Sequence, residues 1–243
     1  RNGGDSILKR VLSEFLLIIL MILEFMNPTL LKAKSNYKYV KATLNIRASP
    51  KKKSKIVGQL YWNDKVKVVK KVNKKWYQIE YKKKKRYVYA EYLRKNSYKF
   101  KTYFSPTSNT FKSFEDSKFI TSNKNIPQGK LKDKYHLDYQ SGVWMIGDRY
   151  CIAVGSYYTK KIGVKLDLVL SSYGGRKHTL KCITADSKAD RDTINKHRVH
   201  KDGSVAEFIV NTRYLSKSTK MTGDVSCAGK KFKGKIVKIK VYK

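Results

Sequence analysis

Residues 39–93 read "YVKATLNIRASPKKKSKIVGQLYWNDKVKVVKKVNKKWYQIEYKKKKRYVYAEYL", and their periodicity decides the fold of the first half of the chain. The runs "KIVGQL", "KVKVVKKV", "KWYQIEY" and "RYVYAEYL" each keep apolar residues at a period of two, the spacing that puts one face of a strand against a core. Polar turns separate them. Five short strands in about 55 residues close into a small barrel, because closure removes unpaired strand edges.

The same residues resemble the bacterial SH3-like domain. "LNIRASPKKKSKIVGQL", then "DKVKVV", "KWYQIEY" and "YVYAEYL" follow that family's L-N-V-R-x-x-P, G-D-x-V, W-x-x-V and G-Y-V-x-x-x-Y-L. The chain departs at Asn63 and Arg86, where the family usually has Gly. The resemblance implies a noncatalytic module that binds peptidoglycan or another wall polymer. Between Asn36 and Tyr98 the chain has 20 Lys+Arg and three acids, so this module would meet an anionic polymer. Trp62, Trp76, Tyr77 and Tyr89, with Lys82, Lys83 and Lys84, are the candidate binding residues. Aromatics in such strands also serve as core and strand-face residues.

Composition extends this reading. The chain carries 55 Lys+Arg against 18 Asp+Glu, a formal charge of +37, which attracts a polyanion: nucleic acid, an anionic membrane or wall teichoic acid. Lysines outnumber arginines 45 to 10, a bias that AT-rich coding also produces. Arginine is the better fork for base edges, so no specific nucleic acid is expected as a partner. Upstream, Lys9 and Arg10 precede the apolar run from Val11 to Phe25, and "LKAKS" comes after it with small residues at Ala33 and Ser35. Residues 1–35 read as a signal peptide. Their uninterrupted apolar core is short for a bilayer, so a secreted, cell wall associated protein with no permanent membrane span is expected.

Residues 96–118 collect Ser, Thr, Asn and Pro without a sustained period and read as a linker. A second module is expected over 119–243. Its lead-in, "FITSNKNIPQGKLKDKYHLDYQSGVWMIGDRY", is irregular and suited to wrapping a barrel formed by residues 150–243. "RYCIAVGSYY", "GVKLDLVLS", "KHTLKCIT", "VAEFIVN" and "GKIVKIKVY" are strand candidates, and "TRYLSKSTKM" reads as a short helix. The fold class is therefore all-β (mainly β): a small barrel, then a second barrel with one or two short helices.

The order of these pieces resembles the double-psi β-barrel of the 3D domain and of lytic transglycosylase A. "CIAVG" with "KKIGVKLDLVL" is similar to I-A-V-D then I-P-x-G-T-x-V-x-I, "CITADSKAD" to A-x-D-T-G-G-A, and "SVAEFIVNTRYLS" to the I-D-I-Y strand and its helix. Ser187, Lys188 and Ala189 replace T-G-G, Glu207 replaces the I-D-I-Y acid, and the loop between the acids is longer. The resemblance implies a six-stranded barrel that cleaves peptidoglycan glycan strands, with Asp186 and Glu207 as catalytic acids. Asp190 is an alternative first acid, because "KAD" repeats "TAD". Such chemistry needs one carboxyl held protonated to serve the glycosidic oxygen. The competing reading makes Asp186, Asp190, Asp192 and Asp202 solvated loop acids in a noncatalytic wall-binding or phage/mobile-element structural protein. Glu207 is harder to dismiss, since a charge inside "VAEFIV" is otherwise unwelcome.

Other chemistries fit less well. His197 and His200, three apart in "HRVH", are zinc-type ligands without a third fixed partner, so no metal or other cofactor is expected. The three cysteines are too few for a disulfide framework. Cys151 and Cys182 sit in strand-like runs as buried apolar residues, and Cys227 has no following His to serve cysteine-peptidase chemistry.

Overall fold

A computed structural model describes residues 36–243, so the expected signal peptide lies outside the described residues. Seven strands form the first sheet: β1 (Tyr37–Val40), β2 (Leu44–Arg47), β3 (Ile56–Leu60), β4 (Lys65–Lys71), β5 (Trp76–Tyr81), β6 (Lys84–Tyr89) and β7 (Leu93–Arg94). Their order is β3-β2-β6-β5-β4-β1-β7. β4 shows why the sequence folds this way, since Val66 and Val68 are buried while Lys65, Lys67 and Lys70 face water. These valines join Val40, Leu44, Ile46, Ile79 and Val88 in one core. Asn63 takes φ 64, a left-handed conformation that Asn tolerates better than most residues. It therefore fills the turn where Gly was expected. Arg86 sits in a strand opposite Ile79, where no glycine geometry is required.

The second sheet contains β8 (Phe100–Phe104), β9 (Phe114–Asp116), β10 (His136–Asp138), β11 (Val143–Ile146), β12 (Arg149–Val154), β13 (Lys165–Ser171) and β14 (Lys177–Ser187). A small hairpin of β15 (Thr193–Ile194) and β16 (Val199–His200) stands apart, and β17 (Ala206–Val210) and β18 (Lys235–Tyr242) return to the sheet. The order is β10-β11-β17-β12-β14-β13-β18-β8, with β9 on β17. The sheet thus has nine strands where six were expected. The helix read in "TRYLSKSTKM" forms at Lys217–Thr222, with Ser216 capping its start and Gly223 at φ 67 ending it.

β12 is buried along its whole length. Ile152 and Val154 join the large core with Leu166, Leu168, Phe208 and Phe232. Cys151 faces the other way, into a smaller cluster with Ile120, Ile183, Ala185 and Ile209. An apolar run covered on both faces has no need to alternate, which explains "YCIAV".

The stretch read as a linker is largely built into this second domain. β8 pairs with β18 over five residue pairs, and β9 pairs in parallel with β17. Lys112 is fully buried, its ammonium held by the carbonyls of Thr110 (2.7 Å) and Gly234 (2.7 Å) and by Ser226 Oγ (3.0 Å). Its polar composition misled because those polar groups find partners inside the fold. Of the irregular lead-in, β10 and β11 join the sheet itself, helix Pro127–Lys132 lies over β14, and Lys132 Nζ bonds Ile120 O at 2.6 Å.

The two domains touch through named groups. Lys181 of the second domain reaches Asp64 of the first at 2.6 Å and its own neighbour Asp148 at 2.7 Å. Trp62 packs on Tyr98 at 4.3 Å and edge-on to Tyr242 at 4.8 Å. Among the described residues no helix is long and apolar enough to cross a membrane.

Candidate functional site

The two acids singled out in the sequence are brought to one place by β12. Ala153 pairs with Asp186 on β14 and with Glu207 on β17. Residues directly opposite share a face, so both carboxylates flank the small methyl of Ala153, their Cα atoms about 10 Å apart by two strand spacings. A register shift between Ile152 and Ala153 sets this alignment. Without that bulge, Ala185 would face Ala153 and Asp186 would turn to the opposite face.

A third carboxylate joins them. Glu115 on β9 pairs with Ile209, two residues from Glu207 and on the same face. Burial raises the Glu115 pKa, the negative charges of Glu207 and Asp186 raise it further, and Lys188 partly opposes them. Lys188, in the place of the expected T-G-G turn, clamps Glu207 with its ammonium at 2.9 and 3.1 Å. Burial works against the Lys188 charge, but the bond to Glu207 and its charge outweigh this and raise the Lys188 pKa. Gln128 donates to Asp186 at 3.3 Å. The buried Tyr135 hydroxyl has no partner, and its pKa is pushed up by burial first, then by Cys151 and Asp186. The arrangement is three carboxyls at the edge of an apolar cluster, one favouring its proton and one paired with a cation.

The remaining acids of the loop are elsewhere. Asp190 is exposed, accepts from Ser156 Oγ, and faces His197 Nδ1 at 3.5 Å. It holds a turn through these contacts. Asp202 caps Ser204 N at 2.8 Å in the "DGS" turn, where Gly203 takes φ 86. The two histidines diverge: His197 bonds Thr193 Oγ1 at 2.7 Å, whereas His200 is fully buried and bonds Ser204 Oγ at 3.0 Å. Burial, then Lys188, lowers the His200 pKa to about 4. Among the described residues no three His, Cys, Asp or Glu side chains are grouped to hold a metal.

On the first domain the candidates separate by exposure. Trp76 is a core residue, 4.2 Å from Tyr89. Tyr77 is half-buried against the core, with Lys38 Nζ 5.3 Å from its ring. Trp62 is committed to the domain interface. Tyr89, half-buried against the same core, lines a groove of about 320 Å³ with Arg47, Lys52 and Tyr92. Lys82 and Lys83 form the two-residue turn between β5 and β6, with φ 49 and 58. That is a type I′ turn, which favours Asn-Gly. Lysines here keep two exposed charges at the tip despite backbone strain, and Lys84 extends the exposed basic edge.

Sequence reading missed Glu115, Lys188 and Tyr135 as site members. Glu115 was hidden by its linker-like surroundings, and Lys188 by a motif that expects glycine. The only local hint for Glu115 was "FED", three residues of strand length between polar runs.

Residues 42–94 match the family model of the bacterial SH3 domain, which bears out the resemblance read over 39–93. No curated protein matches the chain.

Proposed function

We propose that the protein is a secreted cell-wall protein whose SH3 domain holds anionic wall polymer and whose second domain, a double-psi-like barrel, cleaves peptidoglycan glycan strands. The observation that carries the catalytic reading is the convergence of Glu115, Asp186 and Glu207 on one face of the β9-β17-β12-β14 sheet. The parallel pairs β12–β14 and β9–β17 support the barrel assignment. Glu115, whose pKa is raised, supplies the proton to the glycosidic oxygen as the bond to C1 breaks. The sugar's C6 hydroxyl closes onto C1, and its proton passes to Asp186, so no water is consumed and an anhydro ring forms. Glu207, held by Lys188, stabilises positive charge developing at C1. Binding by the first domain rests on its exposed lysines and on the Tyr89 groove.

The Lys188–Glu207 ion pair favours a second reading, a noncatalytic wall-binding or structural protein, because it neutralises one of the acids. Digestion of purified peptidoglycan and mass spectrometry of the products separate the two. Anhydro-sugar ends that fall at least about 100-fold in Glu115→Gln and Asp186→Asn support transglycosylation. Release of nothing by a folded, wall-binding wild type leaves the binding function alone.

A further inference from the structure

Between the domains lies a cavity of about 450 Å³, within the range of small-ligand sites. Lys41 and Trp62 enter from the first domain, and Lys134, Arg149 and Lys165 from the second. Leu131 and Ile183 supply apolar wall.

The charges of this cavity do not balance. Its one acid, Asp148, is held by Lys181 at 2.7 Å. Arg149 is buried and spends Nη1 on Asp167 at 2.9 Å and on the carbonyls of Leu166 and Cys182, both at 3.0 Å. Its buried Nε has no partner. Lys165 is half-buried over the Trp62 ring, 4.7 Å from its centroid, and neither it, Lys41 nor Lys134 forms an ion pair among the described residues. Burial, then Arg149, lowers the Lys165 pKa, with only Asp148 opposing. Lys165 is thus a half-buried cation whose one neighbouring acid is already committed to Lys181, and a ligand anion would offset the cost of its burial.

We propose that this interdomain cleft binds an oxyanion carried by a sugar, a carboxylate or a phosphate, with Lys165 and Lys134 as its principal cations. The oxyanion rests on the cleft's own cations, while the sugar carrier rests on the wall-polymer reading above. Helix Pro127–Lys132 connects the two sites: Leu131 lines the cleft, and Gln128 of the same helix bonds Asp186. A bound glycan strand can therefore occupy both. Because the cleft takes walls from both domains, its occupant also ties them together.

The test is a titration of the full chain with N-acetylmuramic acid, glycerol 1-phosphate and uncharged N-acetylglucosamine, read by tryptophan fluorescence, which Trp62 makes sensitive to the cleft. Saturable binding of at least one anion, absent for N-acetylglucosamine and at least about tenfold weaker in Lys165→Gln, is expected. Lys134→Gln, at an exposed position, should weaken binding in the same direction with an unchanged melting temperature. Preference for the first probe assigns the site to carboxylate glycans, and preference for the second to phosphate polymers. Equal binding of the uncharged sugar, no binding of either anion, or anion binding unchanged in both variants overturns the proposal. The peptidoglycan digestion with Glu115→Gln is independent of these lysines, so failure of the cleft and failure of the catalytic reading are distinguishable.

Discussion

In the first domain 20 Lys+Arg surround an apolar core whose single buried polar residue is Gln78. The second domain keeps Lys112, Arg149, Asp167, His200 and Glu207 buried. The contrast separates two uses of charge. Exposed lysines attract a distant polyanion at little structural cost and are weakened by salt. Buried charges must each be matched by a partner at hydrogen-bond distance, so they organise the fold around them. A surface of the first kind suits binding, and an interior of the second kind suits a site with set proton positions.

The hardest blow to this comparison is Arg149→Met. It leaves Asp167 buried with only the Tyr242 hydroxyl at 2.7 Å, and should cost about 3–5 kcal/mol in urea unfolding. A loss below about 1 kcal/mol would show that the interior charges are not structural.

A milder test uses pH. The folded His200 pKa is about 4, below its ordinary 6.5, so the unfolded chain takes up the proton first. Its stabilising contribution is complete above pH 6.5 and is lost as pH falls toward 4, a loss on the order of 2–3 kcal/mol. Lys188, Asp202 and Asp192 are the charges acting on it. Comparing thermal unfolding at pH 7 and pH 4.5 with His200→Gln isolates this contribution, and an equal drop in the variant would assign it to other groups. No exposed lysine of the first domain should produce such a step.

The smallest effect sharpens the surface side. Replacing Lys82–Lys83 by Asn-Gly relieves two left-handed lysines and should stabilise the first domain by roughly 1 kcal/mol. The same change removes two charges and should weaken salt-sensitive binding to purified wall. Greater stability with undiminished binding would place the polymer contact elsewhere, at the Tyr89 groove.

Much of the first domain was legible because its information is local. Alternation in "KVKVV" and "KWYQIEY" states which face is buried, and Asn63 replaces glycine with a residue able to take the same positive φ. The all-β character of the second domain was legible for the same reason, and Glu207 was readable as a charge that burial would have to explain. Its partner was not, since Lys188 precedes it by 19 residues and occupies the place of a glycine turn. Glu115 was invisible because β9 is only three residues long and has no period of its own; its register against β17 gives it a place.

By itself, then, the sequence determined the all-β character, the strands with a clear period, the basic charge and a short list of candidate acids, Asp186, Asp190 and Glu207, all of which are set by residue type and spacing along the chain. Tertiary structure alone decided that Glu115 completes the carboxylate face, that Trp62 serves the domain interface, and that residues 100–104 and 114–116 belong to the second sheet. The physical reason is that strand pairing joins residues far apart in the chain, and a shift of one residue in register exchanges one face for the other.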